Sequence, residues 1–267
     1  MNAMLLTSPR ESVTLPARKQ SGTRFLISLI LLLVAGCITP GGVNQPITNP
    51  LCRYQLNDNA ESPVTVDSMG AVNGTASKNT SGFHGNSETP PDLKGAFLFN
   101  DAAHDVVRCS PIDPQRYNGG LSFGGWVYWN GHTTLGVNPF YGWDYRSSWG
   151  AVYIACGSDG SLLFRFGTGS PSGHHTVTNQ ITTGAWYHLF ATHGPGGDTL
   201  YKNGVVCSNF PSGVLFGTTS NFKIGSVNEG SQKYHYGSLA DIRIYTNVLT
   251  AAEVSALYST GRVHAKH

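Results

Sequence analysis

The segment 140–149 contains the residues best suited to binding chemistry. It reads FYGWDYRSSW, and its candidate ligand-binding residues are Tyr141, Trp143, Asp144, Tyr145 and Arg146. A flat aromatic ring can stack on a sugar face or anchor a protein contact, while adjacent charged groups orient polar atoms. We interpret the segment as an exposed loop with Trp143 as its anchor. In the alternative interpretation, Tyr145 and Trp149 begin the next strand and belong to the core.

Histidines and cysteines offer less specific chemistry. His174 and His175 are adjacent, and in a strand they would point to opposite faces, which disfavours a shared metal ion. We interpret them as part of a polar loop. Four cysteines beyond residue 50 lack any C-x-x-C spacing, so a zinc site is not indicated. In an exported domain they would form two disulfides, for which sequence proximity favours the pairs Cys52–Cys109 and Cys156–Cys207. The alternative is that these four are buried free thiols.

Export itself is predicted from the N-terminal region. Arg18, Lys19 and Arg24 precede the apolar run FLISLILLLVAG at 25–36. The run is too short to span a bilayer and ends in small residues, as a signal peptide does. Cys37 follows directly, in a pattern that resembles a bacterial lipobox, so we expect it to be lipidated. The alternative is ordinary cleavage near Ala35 or Gly36. Residues 37–50, rich in Pro, Gly and Asn, are interpreted as a flexible tether.

Charge and composition exclude one class of partner. The chain has 12% charged residues and a formal net charge of +2. Residues 1–37 carry four basic residues and one acidic residue, so the remainder has a net charge of −1 (+2 minus +3). A nearly neutral domain without a basic run lacks the electrostatic character of a nucleic-acid-binding protein.

Short alternating apolar runs separated by Gly, Asn, Asp and Ser indicate that residues 51–262 form one all-β domain, followed by a tail at 263–267. In the run 121–129, Leu121, Phe123, Val127 and Trp129 share one face of the predicted strand. A two-sheet antiparallel sandwich is the fold class that this pattern predicts. One helix is expected near the C-terminus, because Thr250 and Glu253 form a capping box.

Five segments carry a resemblance to a known family. They include VDSMG with NGT at 66–75, GAFLF at 95–99, GAWYHL at 184–189, LYKNG at 200–204, and DIRIY followed by the capped helix at 241–258. In this order they resemble laminin-G-like, concanavalin A-like jelly-roll domains over about residues 51–262. The resemblance implies a jelly roll that binds a carbohydrate, a glycan or a protein partner.

The family resemblance also implies a calcium ion. Asp67, Asn73 and Asp241 occur in segments that the family fold brings together, and hard cations prefer such oxygen ligands. In the alternative, Asp67 only caps a turn and Asp241 pairs with an arginine.

The same fold carries hydrolases and lyases, so their residues can be sought here. The five glutamates do not form the E-x-D-x-x-E pattern of the retaining glucanases of this fold. Lyase candidates exist at Tyr153, Arg165, Tyr187 and His188, without the motifs that would join them. An enzyme is therefore the least favoured function.

The sequence favours an exported, lipid-anchored surface module that binds a glycan or polysaccharide. The alternative is a module of the cell envelope that binds another protein or has a structural role. The aromatic segment at 140–149 fits both functions.

Overall fold

The computed structural model of the chain describes residues 48–84, 90, 93–131, 136–143, 151–167, 174–215, 221–231 and 233–260. All of these residues fall in one compact unit that spans Gln45–His267. The predicted signal peptide, Cys37, the predicted tail and all but the last three tether residues lie outside the described residues. Within the described ranges, no helix is long and apolar enough to cross a membrane.

The first of the two large antiparallel sheets has seven strands. Its order is β1-β17-β6-β11-β12-β13, and β4 pairs with part of β17. Its strands are β1 (Cys52–Tyr54), β4 (Phe97–Phe99), β6 (Leu121–Trp129), β11 (Trp186–Gly194), β12 (Gly197–Lys202), β13 (Val205–Phe210) and β17 (Gly237–Tyr245).

The second sheet has eight strands in the order β10-β9-β8-β7-β14-β5-β3-β2. These are β2 (Val64–Thr65), β3 (Gly74–Ala76), β5 (Val107–Pro111), β7 (Val137–Trp143), β8 (Ala151–Gly157), β9 (Leu162–Gly167), β10 (His174–Val177) and β14 (Asn221–Ile224). A separate two-stranded sheet, β15 (Ser226–Asn228) with β16 (Lys233–Tyr234), completes the strands. The predicted all-β, two-sheet sandwich is confirmed.

The two sheets enclose one large apolar core, and strand alternation selects its members. In β6, Leu121, Phe123, Val127 and Trp129 all belong to this core, as the sequence pattern predicts. Trp126 points the other way and packs beneath the C-terminal helix, where its ring lies 5.6 Å from that of Tyr258.

The helix, α1 (Ala251–Thr260), begins at the predicted capping box. The Glu253 amide donates to Thr250 Oγ1 at 3.2 Å, and the Thr250 amide donates to Glu253 Oε2 at 2.7 Å. Val254 and Leu257 are buried against the outer face of the seven-stranded sheet, in a cluster with Phe190. The helix thereby covers part of that face.

Cys52, Cys109, Cys156 and Cys207 are free thiols in the structure. The predicted disulfides Cys52–Cys109 and Cys156–Cys207 are therefore not present, and the alternative of free thiols describes this state. Cys52 and Cys109 come from opposite sheets and lie in the same core cluster. Cys207 instead donates from Sγ to Gln180 Oε1 at 3.2 Å.

Candidate functional site

The predicted aromatic binding loop is a strand over the part that the structure describes. Tyr141 and Trp143 belong to β7, and both side chains are fully buried. The Tyr141 hydroxyl donates to the Leu189 carbonyl at 2.8 Å, and Trp143 Nε1 donates to the Ile112 carbonyl. The expectation that these two rings are exposed is wrong, because β7 is a central strand whose alternate residues face the core.

The other residues of that predicted site, Asp144, Tyr145 and Arg146, lie outside the described residues. Pro139 directly precedes the aromatic segment and lies in the same strand. In the structure a β-bulge between Pro139 and Tyr141 accommodates the proline, which is one of the few places where a sheet tolerates it.

Asp67, a predicted calcium ligand, accepts hydrogen bonds from backbone amides through its carboxylate. Its two carboxylate oxygens accept hydrogen bonds of 2.8–3.0 Å from the amides of Arg53, Met69, Ala71 and Val72. This carboxylate therefore holds the turn that follows it.

The other two predicted ligands are also engaged by protein groups. Asn73 Oδ1 accepts from the Asp67 amide at 3.0 Å. Asp241 accepts from Arg53 Nε at 2.7 Å and from an Arg243 guanidinium nitrogen at 2.6 Å. Burial tends to raise the pKa of Asp241, but the two guanidiniums outweigh it and hold that pKa below its ordinary value.

These oxygens do not fit a calcium ion as they are arranged. The strands do bring the three residues to one region, because β1 pairs with β17 and Tyr54 forms a bridge with Asp67. However, the alternative of a capped turn and an arginine pair is the observed geometry. No group of three His, Cys, Asp or Glu side chains that could hold a metal occurs within the described ranges.

The lyase candidates do not come together. Tyr187 and His188 lie in β11 of the seven-stranded sheet, whereas Tyr153 and Arg165 lie in the eight-stranded sheet. His188 is buried next to Trp126 and Tyr258, and burial lowers its pKa to about 3. A histidine in that position packs beneath the helix and has no access to a ligand.

The most notable polar arrangement lies on the outer face of the eight-stranded sheet. Seven residues from seven strands occupy directly opposed register positions there, and the same face is preserved from strand to strand. This outer row runs, in order, through Thr75, Arg108, Lys223, Gly142, Tyr153, Arg165 and His174.

The neighbouring register row demonstrates which face is which. It faces the sandwich interior, and its residues include Val107, Ile224, Tyr141, Ile154 and Phe164, all fully buried in the core. His175, at the end of that interior row, stacks on Phe210 with 3.8 Å between ring centroids. The outer row therefore faces away from the core. His174 and His175 lie in the strand β10, not in the predicted polar loop.

Three cations dominate the outer row. Arg108 and Lys223 are next to each other and both contact Glu229: Lys223 Nζ lies 2.7 Å from Oε1, and the Arg108 guanidinium binds both carboxylate oxygens. Burial raises the pKa of Glu229, but the hydrogen bonds from Arg108 and Lys223 more than offset this and leave it below its ordinary value. Glu229 is thus ionised and balances one of the two cations.

The third cation, Arg165, is opposite Tyr153. Burial raises the pKa of Tyr153, and the charge and hydrogen bond of Arg165 partly counter that shift. Arg165 is 9% exposed and Lys223 is 7% exposed, so these charges lie in the floor of the face rather than extending from it.

Gly142 allows the backbone of β8 to approach β7 closely between Lys223 and Tyr153. It adopts φ +153, and a Cβ there would lie 2.2 Å from the Val152 carbonyl oxygen and 2.6 Å from the Tyr153 Cβ. Only glycine fits this close approach.

The next outward-facing row is apolar over most of its length. Pro139, Ala155 and Leu163 are opposed across β7, β8 and β9, followed by Thr176 in β10. The outer face thus places charged and hydroxyl groups beside apolar side chains, of which Ala155 is fully buried. This combination suits a ligand that has both hydroxyls and carbon–hydrogen faces.

Sequence reasoning missed this site as a unit. Tyr153 and Arg165 were considered only as enzyme candidates, and Arg108 and Lys223 not at all. Alternation in the run Leu162–Gly167 does place Arg165 opposite to Phe164 and Phe166. The cross-strand register that aligns the row has no such local signal.

Comparison with known proteins identifies the fold. A family model described as the concanavalin A-like lectin/glucanases superfamily matches residues 101–255, more than half of the chain. A search of curated proteins found no significant match.

Solved structures agree with this fold. Trypanosoma rangeli sialidase in complex with the inhibitor DANA matches with a TM-score of 0.58 and 16% identity, over 80% of this chain and 33% of the sialidase. Domain 4 of AbnA, a GH43 extracellular arabinanase from Geobacillus stearothermophilus, in complex with arabinotriose, matches with a TM-score of 0.56 and 22% identity. The match covers 79% of this chain and 98% of that domain. The binding domain of botulinum neurotoxin serotype G matches with a TM-score of 0.56 and 14% identity, over 79% of this chain and 51% of the toxin chain. The chain spans about a third of the sialidase chains, and at these identities the likeness establishes the fold alone.

Proposed function

We propose that this chain, which belongs to the concanavalin A-like lectin/glucanase superfamily, is a carbohydrate-binding module whose ligand lies on the outer row of the eight-stranded sheet. The observation that carries the proposal is the register of that row, which aligns Tyr153, Arg165 and Lys223 on one outward face. Hydroxyl and guanidinium groups bind sugar hydroxyls, and the tyrosine ring offers a stacking surface.

The contrast between the two outer faces supports this location. On the seven-stranded sheet, Trp126 and Phe190 are covered by α1, so that face serves to bury apolar surface. On the eight-stranded sheet, the outer row instead presents charged and polar side chains in line. Support also comes from the arabinanase domain, which has this fold and whose structure contains arabinotriose.

A glycan array tests the proposal. The full chain should bind at least one class of glycan, and Tyr153→Ala should weaken that signal by about tenfold or more, since anchor truncations commonly cost about 2 kcal/mol. Tyr128→Ala is the matched control: Tyr128 is also a partly buried tyrosine on an outer face, but of the other sheet, where it contacts Trp186.

Two results would contradict the proposal. The first is equal loss of signal in both tyrosine variants, with both still folded. The second is the absence of any glycan signal for the wild type, which would favour the alternative of a module that binds an envelope protein.

We further propose that the module is exported and anchored to the membrane by a lipid on Cys37. The support is the basic, apolar and small-residue order that ends at this cysteine. The wild-type protein should partition into detergent and incorporate labelled palmitate, and Cys37→Ser should abolish both. A wild-type protein that is fully soluble after export would contradict the anchor.

A further inference from the structure

A second group of polar side chains lies toward one end of the outer row, away from Tyr153. Arg108 in β5 binds the Glu229 carboxylate through Nε and one Nη, and Lys223 Nζ lies 2.7 Å from Glu229 Oε1. Thr75, directly opposed to Arg108 in the neighbouring strand β3, is exposed. We call Thr75, Arg108 and Glu229 the distal cluster.

The distal cluster is accessible from solvent. The Arg108 side chain is 41% exposed and that of Glu229 is 22% exposed. Lys223, which also contacts this carboxylate, is buried beneath it. A ligand on the outer face can therefore contact both partners of the Arg108–Glu229 ion pair.

This ion pair offers such a ligand both a donor and an acceptor. A carboxylate has about four acceptor sites, and Glu229 uses three of them for Lys223 Nζ, Arg108 Nε and an Arg108 Nη. The guanidinium of Arg108 has more N–H groups than the two that bind Glu229. The Thr75 hydroxyl adds a group that can donate or accept. A donor beside an acceptor matches the hydroxyls on adjacent carbons of a sugar, because each hydroxyl can do both.

The charge of Glu229 discriminates between kinds of sugar. Burial alone would raise the pKa of Glu229, but the hydrogen bonds from Arg108 and Lys223 hold that pKa below its ordinary value, so the carboxylate is ionised at neutral pH. A carboxylate or sulfate of a ligand placed here would meet this negative charge at short range, where like charges repel. The distal cluster therefore favours an uncharged sugar unit.

The distance from the distal cluster to Tyr153 sets the length of the ligand. Arg108, Lys223, Gly142 and Tyr153 occupy the same register row in the successive strands β5, β14, β7 and β8. Three strand steps correspond to about 14 Å. One sugar ring stacked on Tyr153 cannot span this distance, whereas an oligosaccharide that lies across the strands can.

We infer that the distal cluster is a second sugar subsite, which binds adjacent hydroxyls of an uncharged unit, and that the ligand is an oligosaccharide long enough to reach both this subsite and Tyr153. This inference rests on the proposed function and specifies the length and charge of its ligand. Glu229 accepts from one hydroxyl, and Arg108 donates to the neighbouring one. Hydrogen bonds to charged groups are stronger than those between neutral groups, so the subsite adds to the affinity.

The dependence of affinity on chain length tests the second subsite. Neutral arabino-, xylo-, cello- and malto-oligosaccharides, from the monosaccharide to the hexasaccharide, are titrated into the full chain by calorimetry. In a series that binds, affinity should rise at least about tenfold at the length that reaches the distal cluster, the gain expected from one hydrogen bond to a charged group. Longer members of that series should add little more.

Variants locate this gain on the distal cluster. Glu229→Gln should weaken binding of the long oligosaccharide by about tenfold and leave binding of a short one, which contacts only Tyr153, unchanged. Glu253→Gln is the matched control: the same substitution lies in the capping box of α1, where glutamine is also accepted, and it should bind both as the wild type does. Thr75→Val keeps the ion pair and the strand, and should weaken only the long oligosaccharide, by severalfold. It makes the same test should Glu229→Gln prove unfolded by its melting curve.

The results distinguish failure of this inference from failure of the proposed function. Affinity that does not change with chain length, and that Tyr153→Ala abolishes, overturns the second subsite but keeps the glycan site. A gain with length that Glu229→Gln and Thr75→Val both leave intact also overturns it, as does an equal loss for short and long oligosaccharides in Glu229→Gln. Binding of charged glycans on the array without binding of any neutral series overturns the uncharged ligand alone. No binding to any glycan overturns the proposed function itself.

Discussion

Trp143→Ala should destabilise the domain strongly without directly affecting ligand binding. The indole is fully buried, 4.7 Å from the ring of Phe222 and 5.6 Å from that of Phe123, so its removal leaves a cavity in the aromatic centre of the core. Deletions of this size cost about 3–5 kcal/mol. The lost hydrogen bond leaves the Ile112 carbonyl, on a 5% exposed residue, without that donor and adds about 1 kcal/mol.

The assay is thermal and chemical denaturation of the full chain beside Trp143→Phe. For a domain of this size each kcal/mol lowers the melting temperature by about 2–4 °C, so Trp143→Ala should melt at least about 10 °C below the wild type. Trp143→Phe keeps most of the buried ring and should show a clearly smaller shift. Below its transition the alanine variant should bind glycan as the wild type does. An unchanged melting temperature together with lost binding would refute the reasoning and restore the exposed anchor.

Three further predictions address protonation, thiols and the first turn. Burial lowers the pKa values of His188 and His235 from 6.5 to about 3. As the pH falls, both imidazoles are therefore protonated in the unfolded chain at a higher pH than in the folded chain. Stability should therefore fall as the pH drops below about 6.5, by about 4 kcal/mol for both together between pH 7 and pH 5; an unfolding free energy equal at both values would contradict this. Cys52 and Cys109 should react with iodoacetamide only in denaturant, because they are buried and the pKa of the Cys52 thiol is raised to about 12; no reaction even in denaturant would instead establish disulfides. Asp67→Ala should cost about 3 kcal/mol or more, since four amides lose their acceptor, and a calcium-dependent melting temperature of the wild type would show that Asp67 serves a metal instead.

Local patterns in the sequence were sufficient for the helix and for most strands, but not for β7 or β10. Period-two alternation identified both faces of β6, and the Thr250–Glu253 capping box marked the start of α1, because each depends on residues close in the chain. Trp143 was misplaced because the aromatic segment was interpreted as a loop between predicted strands. The sheet accommodates Pro139 and Gly142 through a bulge and a close approach of backbone that no local pattern reveals.

The candidate site could not be predicted in the same way. Arg108 and Lys223 are far apart in the chain, and their contact depends on strand order, on pairing register and on Glu229. Alternation alone would give the face of Arg165 but not its partners. Long-range pairing is set by how both sheets bury their apolar faces together, which is a property of the whole domain.

The central claim is that a glycan lies on the outer row, and a crystal structure of the full chain with a bound oligosaccharide tests it most directly. The oligosaccharide would be taken from the tightest array ligand. The account predicts a sugar ring against Tyr153, with a hydroxyl within hydrogen-bond distance of Arg165 or Lys223. A sugar bound at the Asp67–Asp241 region or along the β13 edge, with the outer row empty, would contradict it.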